Sequence, residues 1–354
     1  MELRDPIQRA VMFALVALLA SCVDGDEAQI TDFKHAIPSA DQLVLTYPGV
    51  ELGAEGEPLP KPNFKAVLGE ESPAFRLAVT SMSFATHGLS LLLEPLRNMV
   101  DDIEPSVETP RRVVWLGAKG ENMHRLVVLR HEVGHFEYVL TVRPKGAEAG
   151  PWRVLVAGTH VPEHEGRSSG SVWTDLDVDP NNATQGKTLV FYQNDAKGSE
   201  VTLHHYGFRA AQLKQPFTGS YRYTARTDGT GSFELSTNSI NLHGPLDTLE
   251  TLKLHVGWDA EGAGRSDSYG FGGDIVSAGL TQVHLIECWS PPDHAVTDAN
   301  ETRKKTGAPP FVFEEAGELT SCYRQNALSP VIPAAPPEPD DGPWLKKIEP
   351  VPQP

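Results

Sequence analysis

Short segments rich in β-branched and aromatic residues recur through most of the chain, and they limit what it can fold into. Between Arg111 and Trp289 these segments alternate with turn dipeptides such as Lys119-Gly120 and Asp228-Gly229. Repeated short strands at hairpin spacing are typical of an antiparallel meander. Ten segments are predicted to be strands: 113–116, 126–130, 136–142, 152–156, 188–192, 201–208, 221–226, 232–236, 249–258 and 282–289.

The segment 136–142 indicates how these strands are oriented. Its apolar residues Phe136, Tyr138, Leu140 and Val142 alternate with positions that include Glu137 and Thr141, which predicts one buried face and one face in contact with water. A sheet of this many strands must curl, and an apolar helix is the natural element to pack against its concave side.

One helix is predicted ahead of the strands, because apolar residues recur there at helical spacing. Pro95 lies inside this stripe and should kink or split the helix, and Pro105 should end it. The predicted fold class is therefore mainly β (α+β), a curved antiparallel half-barrel or open barrel sheet packed on one kinked helix. The stripe consists of Leu89, Leu92, Leu93, Leu96, Met99, Val100 and Ile103.

The charge of the chain restricts its partners. The 354 residues carry a formal net charge of −17. Such an acidic protein is unsuited to nucleic acid and to direct adhesion to anionic lipid headgroups. We therefore predict no nucleic-acid partner.

Residues 1–21 have the layout of an export signal. A short start containing Arg4 and Arg9 precedes an uninterrupted apolar run over residues 10–20, which is too short to span a bilayer. We predict a signal peptide over residues 1–21, followed by an acidic linker over residues 22–45.

The end of this segment, Leu19-Ala20-Ser21-Cys22, resembles the lipobox of bacterial lipoproteins at every position. In that family the cysteine thiol is acylated, with palmitate among the expected chains, and the peptide is cut before the cysteine. The resemblance implies lipidation at Cys22, the lipid bilayer as a partner, and export to the cell envelope. Val23 stands where an aspartate commonly retains such proteins in the inner membrane, which favours the outer membrane. The alternative is an ordinary cleaved signal or an uncleaved anchor.

Two further cysteines, Cys288 and Cys322, form an even pair in a chain that is predicted to be exported. A disulfide between them would close a loop of about 35 residues and stabilise the fold by roughly 3–4 kcal/mol. Two buried free thiols are the alternative.

The sequence His131-Glu132-Val133-Gly134-His135 matches the H-E-x-x-H motif of zinc peptidases. That chemistry requires a helix, which places both histidines on one face and the glutamate beside the metal-bound water. The flanks are rich in strand-forming residues, so we predict a hairpin that turns near Val133-Gly134, with no metal and no catalytic residue. The alternative is a secreted zinc peptidase with His131 and His135 as ligands and Glu132 as the base.

Three other segments attract weaker interpretations. The acidic segment 175–182 begins like a calcium loop but lacks the required glycine and glutamate, so we predict a solvated loop. The glycine-rich segment 262–273 is predicted to be a mobile loop. His204 and His205 are adjacent within a predicted strand, so their rings should face opposite sides of the sheet.

The predicted domain organisation is completed by a single β-rich domain over residues 46–327 and a tail over residues 328–354. The tail is rich in proline and acidic residues and is predicted to be disordered and solvated. Trp344 is its one large apolar residue.

The predicted architecture is similar to that of the LolA-like and LolB-like lipoprotein carriers, half-barrels that bind acyl chains in a concave face. Individual features also resemble uncharacterised lipoproteins of Gram-negative bacteria: Trp115-Leu116-Gly117, Tyr138-x-Leu140 and Glu287-Cys288-Trp289. The resemblance implies a membrane-anchored, non-catalytic envelope lipoprotein without a cofactor, with an apolar or lipid ligand in the concave face of the sheet. The zinc peptidase is the alternative from another functional class.

Overall fold

The described residues form fifteen antiparallel strands and two α-helices. The structure, a computed structural model, describes residues 33–50, 66–132, 134–147, 149–162, 167–179, 184–209, 216–240, 248–317 and 344.

The helices are α1 (Pro73–Asp102) and the short α2 (Gly273–Ser277), and there are two 3₁₀ turns, Ala40–Leu43 and Leu176–Val178. The strands are β1 (Ser106–Thr109), β2 (Arg112–Lys119), β3 (Asn122–Glu132), β4 (His135–Pro144), β5 (Arg153–Pro162), β6 (Ser168–Asp175), β7 (Gln185–Asp195), β8 (Gly198–Arg209), β9 (Phe217–Arg226), β10 (Gly231–Ile240), β11 (Glu250–Trp258), β12 (Gly264–Gly272), β13 (Leu280–Ser290), β14 (Ala295–Lys305) and β15 (Phe311–Ala316).

Each strand pairs with the next one along the chain, so the order in the sheet is linear from β1 to β15 and the sheet is open. The helix α1 contacts β2 and β3 near one edge of the sheet and β11 and β12 near the other. The sheet therefore curls around α1. The predicted fold class, a curved open antiparallel sheet packed on a helix, is confirmed.

The helix α1 is longer than predicted. Its 30 residues begin after Ser72, whose side chain accepts a hydrogen bond from the backbone of Phe75 at 3.1 Å, and Pro73 occupies the first turn. The helix continues through Pro95, so the predicted split does not occur, and it ends before Pro105 as expected. Its buried residues run along most of its length, from Ala74 to Val100.

A buried carboxyl group fixes the start of α1. The Oε2 atom of Glu287, on β13, accepts hydrogen bonds from the Ser72 hydroxyl at 2.5 Å and from the Ala74 amide at 3.1 Å. The amides at a helix start lack partners within the helix, and the helix dipole favours negative charge there. Glu287 thus joins the N-terminal end of α1 to the thirteenth strand.

The concave side of the sheet and α1 enclose the main hydrophobic core. Phe33, Leu43 and Leu45 belong to this core and are at most 2% exposed. The predicted linker over residues 22–45 is therefore wrong for its described part, 33–45, which packs against the sheet. Within this part, residues Ala40–Leu43 form a 3₁₀ turn.

Five strands were not predicted: β1, β6, β12, β14 and β15. The most informative is β12, because its glycine-rich sequence was predicted to be a mobile loop. It pairs with β11 and β13 along its length. A Cβ atom on Gly264 would lie 2.4 Å from Cζ2 of Trp289, its cross-strand partner. The glycine is therefore a packing position under an aromatic ring.

One residue of the predicted solvated tail is described, and it is not solvated. Trp344 is half-buried and packs against a second hydrophobic cluster on the convex side of the sheet. The rest of the tail beyond residue 328 and the signal segment 1–21 lie outside the described residues. In the part of the chain that the structure describes, no helix is long and apolar enough to cross a membrane.

Candidate ligand site on the concave face

A pocket of about 500 Å³ opens at the C-terminal end of α1. Three parts of the chain form it: the segment 34–42, the last turns of α1, and the end of β5. We call it the concave pocket, because the β5 residue in its wall, His160, lies on the same face as the core residues Phe136 and Tyr192. Elsewhere on this face, α1 and the main hydrophobic core pack against the sheet.

His160 is the buried polar residue of the concave pocket. Its Nδ1 atom is 2.5 Å from the hydroxyl oxygen of Tyr192 on β7. Burial lowers the pKa of His160 to about 4 and raises the pKa of Tyr192, so both groups are uncharged at neutral pH. With Nδ1 held by Tyr192, the other ring nitrogen is the polar atom that His160 offers to the pocket.

The walls and the rim of the concave pocket differ in character. Apolar side chains in its walls include Ile37, Pro38 and Val100, whereas Lys34 and Arg97 are exposed at the opening. Pockets of this size commonly hold small molecules and combine apolar walls with a few polar groups. The arrangement suits a ligand with an apolar body and an acidic head.

The sequence analysis missed the residues of the concave pocket. The predicted strand 152–156 stops short of His160, although the structure continues the strand to Pro162. Val156, Gly158 and His160 lie on one face at period two, so extending the alternation would have placed a histidine among the inward residues. Nothing local in the sequence places Lys34 or Arg97 beside it.

The H-E-x-x-H segment forms a hairpin, not a helix. His131 and Glu132 end β3, His135 begins β4, and Gly134 has a φ of +79° in the turn between them. The helical face that a zinc-peptidase site requires does not form here. His131 instead pairs with the carboxylate of Glu137 at 2.9 Å, and Glu132 is exposed.

The adjacent histidines of β8 face opposite sides of the sheet, as predicted. On the convex side, Nδ1 of His204 lies 2.7 Å from the Ser220 hydroxyl. On the concave side, Nδ1 of His205 lies 3.0 Å from the Thr188 hydroxyl. Burial lowers the pKa of His205 to about 3, so this side chain is a neutral part of the core.

The described part of the acidic loop, 175–179, is organised by its own hydrogen bonds. Asp175 accepts from the Asp177 amide at 3.0 Å, and Asp177 accepts from the Gly186 amide at 2.8 Å. Burial raises the pKa of Asp175, which is 7% exposed, so the prediction of a fully solvated loop is wrong for this residue. Among the residues that the structure describes, no group of three or more histidine, cysteine or acidic side chains is arranged to hold a metal ion.

Of the three cysteines with a predicted role, only Cys288 lies within the described residues. Cys288 is buried on β13 and is disulfide-bonded. The proposed partner, Cys322, and the proposed lipidation site, Cys22, both lie outside the described residues. The pairing and the lipid modification therefore stay predictions.

Comparisons of the chain with protein-family models, with curated proteins and with solved structures give no match.

Proposed function

We propose that this chain is a non-catalytic lipoprotein of the cell envelope, anchored through an acylated Cys22, that binds an amphiphile with an acidic head in the concave pocket. The signal-like segment and the lipobox support the anchor. Two acyl chains hold a protein on a bilayer more firmly than one chain, which binds only marginally. Val23 supports the outer membrane as the destination.

The concave pocket is the observation that carries the ligand proposal. It combines apolar walls, a neutral buried histidine and a cationic opening. Arg97 attracts a carboxylate or phosphate, while Asp101, one turn later on α1, limits the positive charge of the opening. A neutral apolar compound would contact the apolar walls but would gain nothing from the cationic opening. The proposed ligand therefore carries a single small acidic head.

The anchor is tested with Cys22→Ser. We expect the wild-type protein to incorporate labelled palmitate and to partition into the detergent phase of a cloud-point extraction. The variant should do neither, because it lacks the thiol that carries the acyl chains. Wild-type behaviour of the variant in both assays would refute the anchor.

The ligand site is tested by titrating the purified domain, residues 23–354, with the fluorescent fatty acid cis-parinaric acid and with its neutral methyl ester. We expect Arg97→Glu to weaken binding of the acid about tenfold or more, since the change replaces an attraction with a repulsion worth at least 1.4 kcal/mol. Binding of the ester should change little.

Lys119→Glu is the matched control, because Lys119 is an exposed cation on β2 that does not line the concave pocket. It makes the same change in net charge as Arg97→Glu. Equal effects of the two variants on the acid would show that overall charge, and not this pocket, determines binding. Absence of any saturable binding by the wild type would refute the ligand proposal.

A further inference from the structure

The convex side of the sheet carries an apolar surface that is separate from the core around α1. We define it as the convex patch: Val114, Val127, Val139, Val154, Ala157 and Trp173. Five of these six residues, together with Leu189, are successive cross-strand partners in β2 to β7 and form one row across the sheet.

The convex patch is buried although α1 lies on the opposite side of the sheet. Val127, Val154 and Ala157 are fully buried, and Trp173 is 2% exposed. A row of apolar side chains on the outer face of a sheet remains in water unless another element covers it. Among the described residues of this cluster, Trp344 is the one that does not belong to a strand.

The chain is long enough to bring Trp344 to this position. Ala316 ends β15, and Trp344 lies 28 positions further along the chain. At about 3.1 Å per residue, a polyproline-like segment of that length reaches up to roughly 87 Å. The distance across the sheet from β15 to β5 is ten strand spacings of about 4.8 Å, or roughly 48 Å.

Three arginines near the convex patch and three acidic residues ahead of Trp344 carry opposite charges. Arg112, Arg125 and Arg143 lie on β2, β3 and β4 at an even number of positions from a residue of the convex patch, so they share its face. The sequence Glu338-Pro339-Asp340-Asp341 comes shortly before Trp344. Opposite charges around an apolar contact favour one docking partner over others.

We propose that the convex patch is a docking site for a tryptophan within an acidic, proline-rich segment, and that the tail of the same molecule occupies it through Trp344. Tryptophan is the side chain that most often dominates such contacts, because it buries a large apolar area with few rotatable bonds. A proline-rich segment loses little conformational entropy when it docks. Trp344 therefore covers apolar residues on the face opposite the concave pocket.

The site is tested with a chain that ends at Pro337, which retains Cys322, and a synthetic peptide of residues 338–350. Calorimetry should show one-to-one binding of the peptide to the shortened chain, and the affinity should fall as salt is added. The Trp344→Ala peptide should bind at least tenfold more weakly, and the Trp344→Phe peptide should recover part of the loss. The full chain should not bind the peptide, because its own tail fills the site.

Three results would overturn the proposal. The first is equal affinity of the Trp344→Ala and wild-type peptides, and the second is a folded shortened chain that binds neither peptide. The third result is a concentration-dependent dimer of the full chain, seen by sedimentation, that Trp344→Ala abolishes. Such a dimer would show that the tail docks on a second copy of the chain.

A second measurement applies if the shortened chain does not fold. The emission of Trp344 is isolated as the difference between the full chain and its Trp344→Phe variant, and acrylamide quenching of that emission is measured. We expect quenching several-fold below that of the free peptide. Equal quenching would show that Trp344 is solvated and would overturn the proposal.

Discussion

At the scale of single residues, Glu287 is the side chain that most directly joins the helix to the sheet. It is fully buried, and its Oε2 atom accepts two hydrogen bonds at the start of α1. Burial raises its pKa from 4.5 to about 7, although the hydrogen bonds from Ser72 and Ala74 oppose that shift. The carboxyl group therefore titrates within the neutral range.

Glu287 should make the stability of the protein depend on pH. Because the folded-state pKa lies above the ordinary value, the native state binds the proton more tightly than the unfolded chain does. The free energy of unfolding should fall as pH rises from about 4.5 through 7, by on the order of 3 kcal/mol in total. Urea denaturation of Glu287→Gln at several pH values should show a flatter profile than the wild type.

The exposed Glu132 provides the matched control for this measurement. Glu132→Gln makes the same chemical change at an exposed position. It should leave the profile unchanged and stability within about 0.5 kcal/mol. A profile of Glu287→Gln as steep as the wild type would show that Glu287 does not titrate in this range.

The residue scale also shows where prediction from sequence fails. The burial of Glu287 depends on a contact with Ser72, 215 positions away along the chain. The concave pocket likewise joins Lys34, Arg97 and His160 from three distant segments. No local sequence pattern predicts these contacts, because they form only when the sheet has curled around α1.

At the scale of elements, four glycines on the concave side lie opposite large aromatic residues. The cross-strand pairs are Tyr138 with Gly158, Tyr192 with Gly170, Trp258 with Gly231, and Trp289 with Gly264. In each pair a Cβ atom on the glycine would lie within 2.5 Å of the partner's ring or hydroxyl group. The missing side chains let aromatic rings lie over the backbone of the neighbouring strand where the sheet curves.

Gly264→Ala should destabilise the protein by about 1–3 kcal/mol, because the added methyl group meets Trp289 in a filled core. Gly88→Ala is the matched control within α1. That position has no atom within 4 Å of the added Cβ, so alanine should stabilise the helix by about 0.5–1 kcal/mol. The denaturation midpoints of the two variants should move in opposite directions. A loss of stability in both, or in neither, would contradict the packing role of Gly264.

The glycine–aromatic pairs explain why some strands could be predicted from the sequence and others could not. Strands such as β4 carry their own alternating apolar residues and were predicted. In β12 the apolar contacts come from partners, for example from Trp289 over Gly264, so its own sequence resembles a loop. The first half of α1 was missed for a related reason, since alanine and serine occupy many of its buried positions. The pair Ser72-Pro73 is typical of a helix start and could have been used to predict where α1 begins.

At the scale of the whole molecule, the linear strand order follows from the sequence. Each hairpin joins neighbours, and turn dipeptides such as Lys119-Gly120 mark the connections. Hence the meander was predictable, whereas the path of the segments outside the sheet was not. The segment 33–45 fills part of the concave side, and Trp344 returns to the convex side. Both faces of the sheet are therefore used by distant parts of the same chain.

The proposal that the concave pocket holds an acidic amphiphile is tested most directly by native mass spectrometry of the protein purified from membranes in mild detergent. The account predicts a one-to-one complex with an acidic lipid-like molecule. The bound fraction should fall at least severalfold in Arg97→Glu and remain unchanged in Lys119→Glu. A wild-type protein that carries no such molecule, or one bound equally by Arg97→Glu, would contradict the account.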